Sequence, residues 1–504
     1  MSTTLTDTSI DTRLGWRGFF VPSLADLLYL VIFVFTIILG SSLTSSDGDL
    51  GRHLLLGGIV LDTGSIPQVD VFSFTVTGTE IIPHWWLAQA AFAGVERWLG
   101  FDGIGLLTAV LAALPWFVMY RWLVTRGTPV AIAGGLGLLG SAATVIHLQS
   151  RPHMFTWVFV MICVLLLEDL RTGHRRQVWI LVPLAVLWAN THAGFTIGVL
   201  VVGTYFVGSL LQSWLSKSNP TQQGVTRHLG MVLVGVTAGA MITPGGVATI
   251  TNAFSYLGLD FLIDTTVEYQ SPDFHNPLVW PFLGLLLVSV LLAHRWNATH
   301  VLLVVSWTAS ALYSSRNIPI YAIVVTPVLA ASLASRAANT TMPNGRLKVR
   351  LQRYAEIERR VIGGFLALII TLFAGFLLLG TPGSAFELDP TVFPIDAMEE
   401  YGEHPPGERP FHMFSWGGYL EYCCHPEVLV FIDGQTDIYG EELSKEYLAT
   451  VNGEPDWRRV FAKHGVDWVL IEPDVGLAQV LAESNEWTET YRDETAVVYV
   501  PASA

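Results

Sequence analysis

Charge is what this sequence has least of. Only 14% of its 504 residues are Asp, Glu, Lys or Arg, against about a quarter in a soluble domain. Basic charge is the scarcer kind: 27 Lys and Arg stand against 42 Asp and Glu, a net charge of -15. That balance repels phosphate backbones and excludes a nucleic-acid partner. Cysteine is nearly missing, with 3 in the whole chain. Neither a disulfide scaffold nor a cysteine-rich metal site is expected. Cys163 lies in an apolar run. Cys423 and Cys424 are neighbours, and adjacent cysteines rarely bond because the geometry is strained. Apolar residues, in contrast, make up 51%, and the mean hydropathy is +0.49. Disorder and a simple cytosolic enzyme are excluded, and a multispanning membrane protein is expected.

The scarce charge is unevenly placed. Residues 384–504 hold 24 Asp and Glu against 6 Lys and Arg, a net -18. Residues 1–383 hold 18 and 21, a net +3. This predicts a nearly neutral membrane domain, 1–383, and an acidic soluble domain, 384–504. The second is long enough to bury its own core.

A spanning helix needs about 20 mostly apolar residues. Eleven windows qualify or nearly so: 26–43, 102–120, 129–147, 152–168, 177–190, 192–212, 228–246, 277–294, 299–313, 318–335 and 361–380. The fifth and ninth are short enough to be re-entrant. With a cytoplasmic N-terminus, 17 Lys and Arg fall inside and only Arg52, Arg97, Arg151 and Arg316 fall in outer loops. The positive-inside bias therefore predicts eleven spans and an extracytoplasmic C-terminal domain. No small-residue cleavage site follows the first window, so it reads as a retained helix in a multi-pass protein of the cytoplasmic membrane.

The first outer loop, 44–101, is too long for a turn. Leu50–Leu61 and Trp85–Leu99 read as aromatic-rich helices on the membrane surface. Pro67–Val76 between them reads as a turn and an extended piece. In the C-terminal domain, Val428–Ile432, Val466–Ile471 and Ala496–Val500 read as buried strands. Helical stretches alternate with them at 396–402, 441–451, 457–464 and 476–484. The expected result is a small α/β domain with a mostly parallel sheet.

The unusual polar residues gather on the outer face. They are Asp47, Asp49, Arg52 and His53; His84; His147, Gln149, Arg151 and His153; Asn190 and His192; Glu268, Gln270, Asp273 and His275; and Arg316 and Asn317. Ionisable groups at membrane depth are costly and mark function. Each signal has a bland counterpart. Asp47-Gly48-Asp49 also fits a solvated lip, and Arg151 and Arg316 also fit snorkelling to headgroups. Asn190 and His192 also fit caps of a tight turn. His84 beside Trp85-Trp86 also fits an interfacial position, and Asp433 to Asp437 a turn with a helix cap.

Taken together, these features resemble the C-type (GT-C) polytopic membrane glycosyltransferases, and most narrowly a prokaryotic branch of them. That group includes protein mannosyltransferase-like, aminoarabinose transferase-like and oligosaccharyltransferase-like enzymes. The matching stretches are Asp47 to His53, Ile66-Pro67 with Asp70 to Thr75, His84 to Leu87, Arg151-Pro152, Trp188 to Gly194, Gln270 to Phe274, Arg316 to Pro319, Trp416 to Leu420 and Phe431 to Gly434. Two positions depart from the pattern. Gly51-Arg52 stands where the family often has tryptophans, and Trp85 where it often has an acidic residue.

The resemblance implies a sugar donor carried on polyprenyl phosphate, because nucleotide sugars are not available outside the cytoplasmic membrane. It also implies a glycan, lipid or protein acceptor. A carboxylate must take the acceptor proton, which suits Asp47 and Asp49. Cations and hydrogen-bond donors must hold the departing phosphate, which suits Arg52, His53, Arg151, His192 and Arg316. His84, His153, Asn190, Gln270, Asp273 and Asn317 are candidate substrate-binding positions. No cofactor is required, but Asp47 and Asp49 also suit a divalent metal, Mg or Mn. Two other readings compete: a lipid-linked saccharide transporter or flippase, which calls for polar residues deep in mid-span, and a non-catalytic envelope scaffold.

Overall fold

The computed structural model describes residues 15–174, 178–215, 220–255, 266–293, 296–338, 346–380, 383–402 and 404–502. Arg13, Arg175, Arg176, Lys217 and Arg295, used in the orientation count, lie outside them.

Each of the eleven windows carries a helix, but they are not equivalent. Six helices among the described residues are long and apolar enough to cross a membrane. They include Val130–His147, His153–Arg171, Phe195–Leu215 and Ser315–Ala338. A seventh arises if Gln352–Arg360 and Phe365–Gly380, bent by 67°, count as one span. Pro277–Leu292 and Ala298–Tyr313 are shorter apolar helices. The fifth window holds only Leu181–Ala189. These helices and their buried side chains make an integral membrane protein with one large apolar core.

Local rules set the helix ends. Ser23 and Asp26 form a capping box that starts Leu24–Ile38. Leu50–Thr63 stops at Gly64, whose φ of +65° closes the last turn. The second expected loop helix is present: the helical run Trp86–Thr125 is two helices that meet at a kink at Gly100 (φ 62°, ψ -162°), the first ending where the expected one does and the second long and apolar enough to span. Gly100 takes a backbone conformation that L side chains disfavour, and this lets the chain turn from the surface into the bundle. The two loop helices pack on each other: a Cβ on Gly57 would stand 2.0 Å from the Gln89 carbonyl oxygen.

The C-terminal domain has four strands. They are β1 (Pro410–His412), β2 (Trp468–Ile471), β3 (Trp487–Arg492) and β4 (Val497–Pro501). The order is β1-β2-β4-β3. Only β1 and β2 are parallel, and the other two pairs are antiparallel. The sheet is therefore mixed, not mostly parallel as expected. β2 is buried on both faces: Val469 and Ile471 join one core, Trp468 and Leu470 the other.

Val428–Ile432 is not a strand of this sheet. Its backbone is taken by the loop 44–101 instead. Val430 N–H donates to the Phe72 carbonyl at 2.9 Å, and Phe74 N–H donates to the Val430 carbonyl at 3.2 Å. The Thr75 hydroxyl donates to the Phe431 carbonyl at 2.7 Å. The loop and the C-terminal domain are thus packed together. Cys423 and Cys424 are joined as a disulfide, against expectation.

Candidate active site

Asp47-Gly48-Asp49 forms the turn between the short helix Ser42–Ser45 and Leu50–Thr63. Asp49 is the N-cap residue of the second, and its N–H donates to Asp47 Oδ1 at 3.1 Å. The C-terminal domain closes directly over this turn. A Cβ on Gly48 would stand 2.4 Å from the Ser415 carbonyl oxygen, and one on Gly418 would stand 2.2 Å from that of Gly48. Gly434 sits against Asp49 in the same way. Only glycine permits so close a crossing. Three stretches far apart in sequence meet here for that reason.

Arg151 holds both carboxylates. Its Nε stands 2.7 Å from Asp47 Oδ2, and its Nη2 pairs with Asp49. Its Nη1 lies 3.6 Å from Glu268 Oε2. Glu268 Oε1 is 3.7 Å from Arg316 Nη1, and its Oε2 is 3.6 Å from His147 Nδ1. The Arg316 guanidinium lies over the Tyr269 ring at 4.7 Å. Arg151 is thus matched by two close carboxylates, while Arg316 has one long pair and an aromatic face. Burial pushes the Asp47 carboxyl up to about 7, Asp49 and Glu268 add to this, and Arg151 opposes it. Burial raises the Glu268 carboxyl too, but Arg316 and Arg151 together hold it below its ordinary value.

Histidines form the adjoining wall. Gly194 N–H donates to His192 Nδ1 at 2.9 Å, so the neutral ring carries its proton on Nε2. Thr156 Oγ1, 3.0 Å from the same nitrogen, accepts from the Trp188 indole. The His153 ring is 4.2 Å from that of His147 and 6.5 Å from that of His192. Gln89 Nε2 lies 3.2 Å from His53 Nδ1. Burial pushes His53 down, and the charges of Arg151 and Arg52 push it the same way. The His84 ring meets Trp85 edge-on, 4.2 Å between centroids, and burial lowers it to about 4. Its buried Nε2 has no hydrogen-bond partner among the described residues.

Other expected residues are placed elsewhere. Arg52, expected at the donor phosphate, lies against the C-terminal domain. Its Nη1 pairs with Glu421 Oε1 at 2.5 Å and Asp433 Oδ2 at 2.8 Å, and Phe72 covers its guanidinium at 5.2 Å. The Tyr439 hydroxyl completes the cluster on Asp433 at 2.8 Å. Asn190 is a structural joint: it accepts from the Trp86 indole at 2.8 Å and donates to the Val186 and Ile242 carbonyls. Asn317 donates to the Ser310 carbonyl at 3.3 Å. Asp273 lies in an exposed turn with His275. Gln270 is exposed and accepts Ser315 N–H through its carbonyl. Glu268, the link between the two arginines, carries no role in the expected site, although it stands among the polar residues expected on the outer face.

A divalent metal is one expectation for Asp47 and Asp49. No three His, Cys, Asp or Glu side chains gather as a metal set among the described residues. Arg151 stands where a cation would bridge the two carboxylates. With Arg151 in that place, the donor set does not fit a resident divalent ion.

No family model matches this sequence, and no curated protein matches it. Among solved structures, ArnT from Cupriavidus metallidurans in the apo state is similar. The TM-score is 0.50 at 14% identity, over 94% of this chain and 97% of that one. The archaeal oligosaccharyltransferase AglB from Archaeoglobus fulgidus, in complex with an inhibitory peptide and a dolichol-phosphate, gives a TM-score of 0.49 at 11% identity, over 89% and 69%. The apo form of the A. fulgidus oligosaccharyltransferase gives 0.46 at 12%, over 88% and 69%. At such identities likeness speaks for fold alone, and the match to ArnT, over nearly all of both chains, carries the conclusion: this chain shares the fold of that protein.

Proposed function

We propose that this protein is a membrane glycosyltransferase that moves a sugar from a polyprenyl-phosphate donor to a glycan, lipid or protein acceptor at the outer membrane–water boundary. One observation carries the reading. Asp47 and Asp49 are held by Arg151, and Glu268 ties that group to Arg316 at one end of a bundle that shares the ArnT fold.

In the transfer, the bond between the anomeric carbon and the phosphate oxygen breaks, and its electron pair leaves with the phosphate. A bond from the acceptor oxygen to the anomeric carbon forms. The acceptor proton goes to Asp47, whose raised carboxyl suits a base working near neutral pH. Arg316 meets the charge growing on the phosphate, because Arg151 is already balanced by two carboxylates. His192 Nε2–H is a further donor on that side, and the unpartnered His84 Nε2 is available to a sugar or acceptor hydroxyl. Arg151 places its own positive charge between the two carboxylates.

The eleven-span arrangement, with its N-terminus inside and residues 384–504 outside, belongs to the same proposal. The test is a purified chain in vesicles supplied with polyprenyl-phosphate sugars, with product followed by mass spectrometry. Transfer abolished by Asp47→Asn supports the reading. Donor movement across the bilayer without any transfer product sinks it in favour of a transporter.

A further inference from the structure

The most basic stretch of the chain plays no part in the site above. Helix Arg346–Arg360 carries six Lys and Arg against two Glu. It is fixed from one side. Buried Glu358 accepts the Leu24 N–H at 3.0 Å and pairs with Arg121 at 3.3 Å. The anchor turns Val349, Arg350, Arg353, Tyr354 and Ile357 to the exposed side. Arg350 and Arg353 make no ion pair among the described residues.

A second segment, far away in sequence, joins the same surface. Ile362 and Gly363 N–H both donate to the Gly18 carbonyl, at 3.0 and 3.1 Å. The Phe20 ring lies 5.0 Å from that of Phe365. This places Trp16, 72% exposed, and Arg17 beside the basic helix. The 67° bend between Gln352–Arg360 and the apolar Phe365–Gly380 sets the basic helix at a steep angle to the apolar one. The result is a platform of exposed apolar and aromatic side chains with unpaired guanidiniums between them. Arginine next to aromatic rings at a membrane boundary matches a phosphate above acyl chains.

We propose that this platform, formed by Trp16-Arg17 and the exposed face of Arg346–Arg360, seats the headgroups of anionic phospholipids. The occupant is a lipid surface because the exposed groups are both apolar and cationic, and the basic helix is joined at a steep bend to a helix apolar enough to cross a membrane. The site is separate from Asp47 and Arg316, so it stands or falls independently of the transferase reading.

The probe is spin-labelled phosphatidylglycerol, compared with spin-labelled phosphatidylcholine, around the full chain in phosphatidylcholine vesicles. The wild type is expected to enrich the anionic probe, with the preference shrinking as salt rises. Arg350→Gln and Arg353→Gln each reduce the preference, by up to about fivefold per arginine. Arg350→Lys with Arg353→Lys retains it. Equal association of both probes with the wild type overturns the proposal. So does a preference unchanged in the double Gln variant. Self-association in phosphatidylcholine that the Gln variants abolish assigns the face to a second copy and overturns it as well. These exposed substitutions leave Glu358 and its anchors in place, so folding is not at issue.

Discussion

Gly434 of the C-terminal domain rests on the Asp49 carboxylate: a Cβ built on it stands 1.6 Å from Asp49 Oδ1. The C-terminal domain is therefore a wall of the candidate site, not an appendage. Gly434→Ala must push the Asp49 side chain away, and with it the pair to Arg151. A misplacement of about 1 Å costs about 10²-fold in rate, and that loss is expected here with normal membrane insertion. Gly224→Ala, where an added Cβ meets nothing within 4 Å, is the control and should leave the rate unchanged. Initial transfer rates of the two variants decide the matter.

Asp47→Asn and Asp49→Asn remove carboxylate charge at nearly constant shape. Loss of a general base costs about 10²–10⁴ in rate, and Asp47→Asn should show it. The base works ionised, and burial raises its carboxyl to about 7. Wild-type rate should therefore rise with pH through about 7 and fall below it. A profile flat from pH 5 to 8 excludes Asp47 as the base.

Arg316→Ala should weaken binding of a polyprenyl-phosphate analogue more than Arg316→Lys, since lysine keeps charge but loses the planar fork. A headgroup-snorkelling arginine predicts no difference between the two. Analogue titration of each purified variant separates the outcomes.

Arg52→Met leaves Glu421 and Asp433 buried without their cation. Breaking a buried pair in this way costs about 3–5 kcal/mol of stability, and thermal unfolding should show a lower midpoint. Donor affinity of the folded fraction should be unchanged, because the Arg52 Nη1 contacts are to the C-terminal domain. Weaker donor affinity with normal stability restores Arg52 to the phosphate site.

Treatment with a chelator, followed by dialysis, should leave transfer intact, because Arg151 supplies the cation between Asp47 and Asp49. Activity lost to the chelator and restored by Mg or Mn reverses that assignment.

The sequence alone determined the class of protein and the neighbourhood of its chemistry. Apolar windows of spanning length and the acidic tail require no tertiary information, because burial in lipid and solvation in water act on each segment separately. Asp47, Asp49, Arg151 and Arg316 stood out for a similar reason: charge at membrane depth is costly wherever the chain later folds. Tertiary structure decided which of those charges meet. Arg52 and Arg151 look alike in sequence, both outer arginines near acidic or polar motifs. Packing of Gly51 on Gly418 turns Arg52 toward Glu421 and Asp433, and leaves Arg151 to the D-x-D turn. Glu268 gained its role only by lying between two arginines, one of them 117 positions earlier in the chain. The strand expected at Val428–Ile432 went to the loop 44–101 for the same kind of reason. A backbone's hydrogen bonds go to whichever edge the fold brings alongside, and no local pattern encodes which edge that will be.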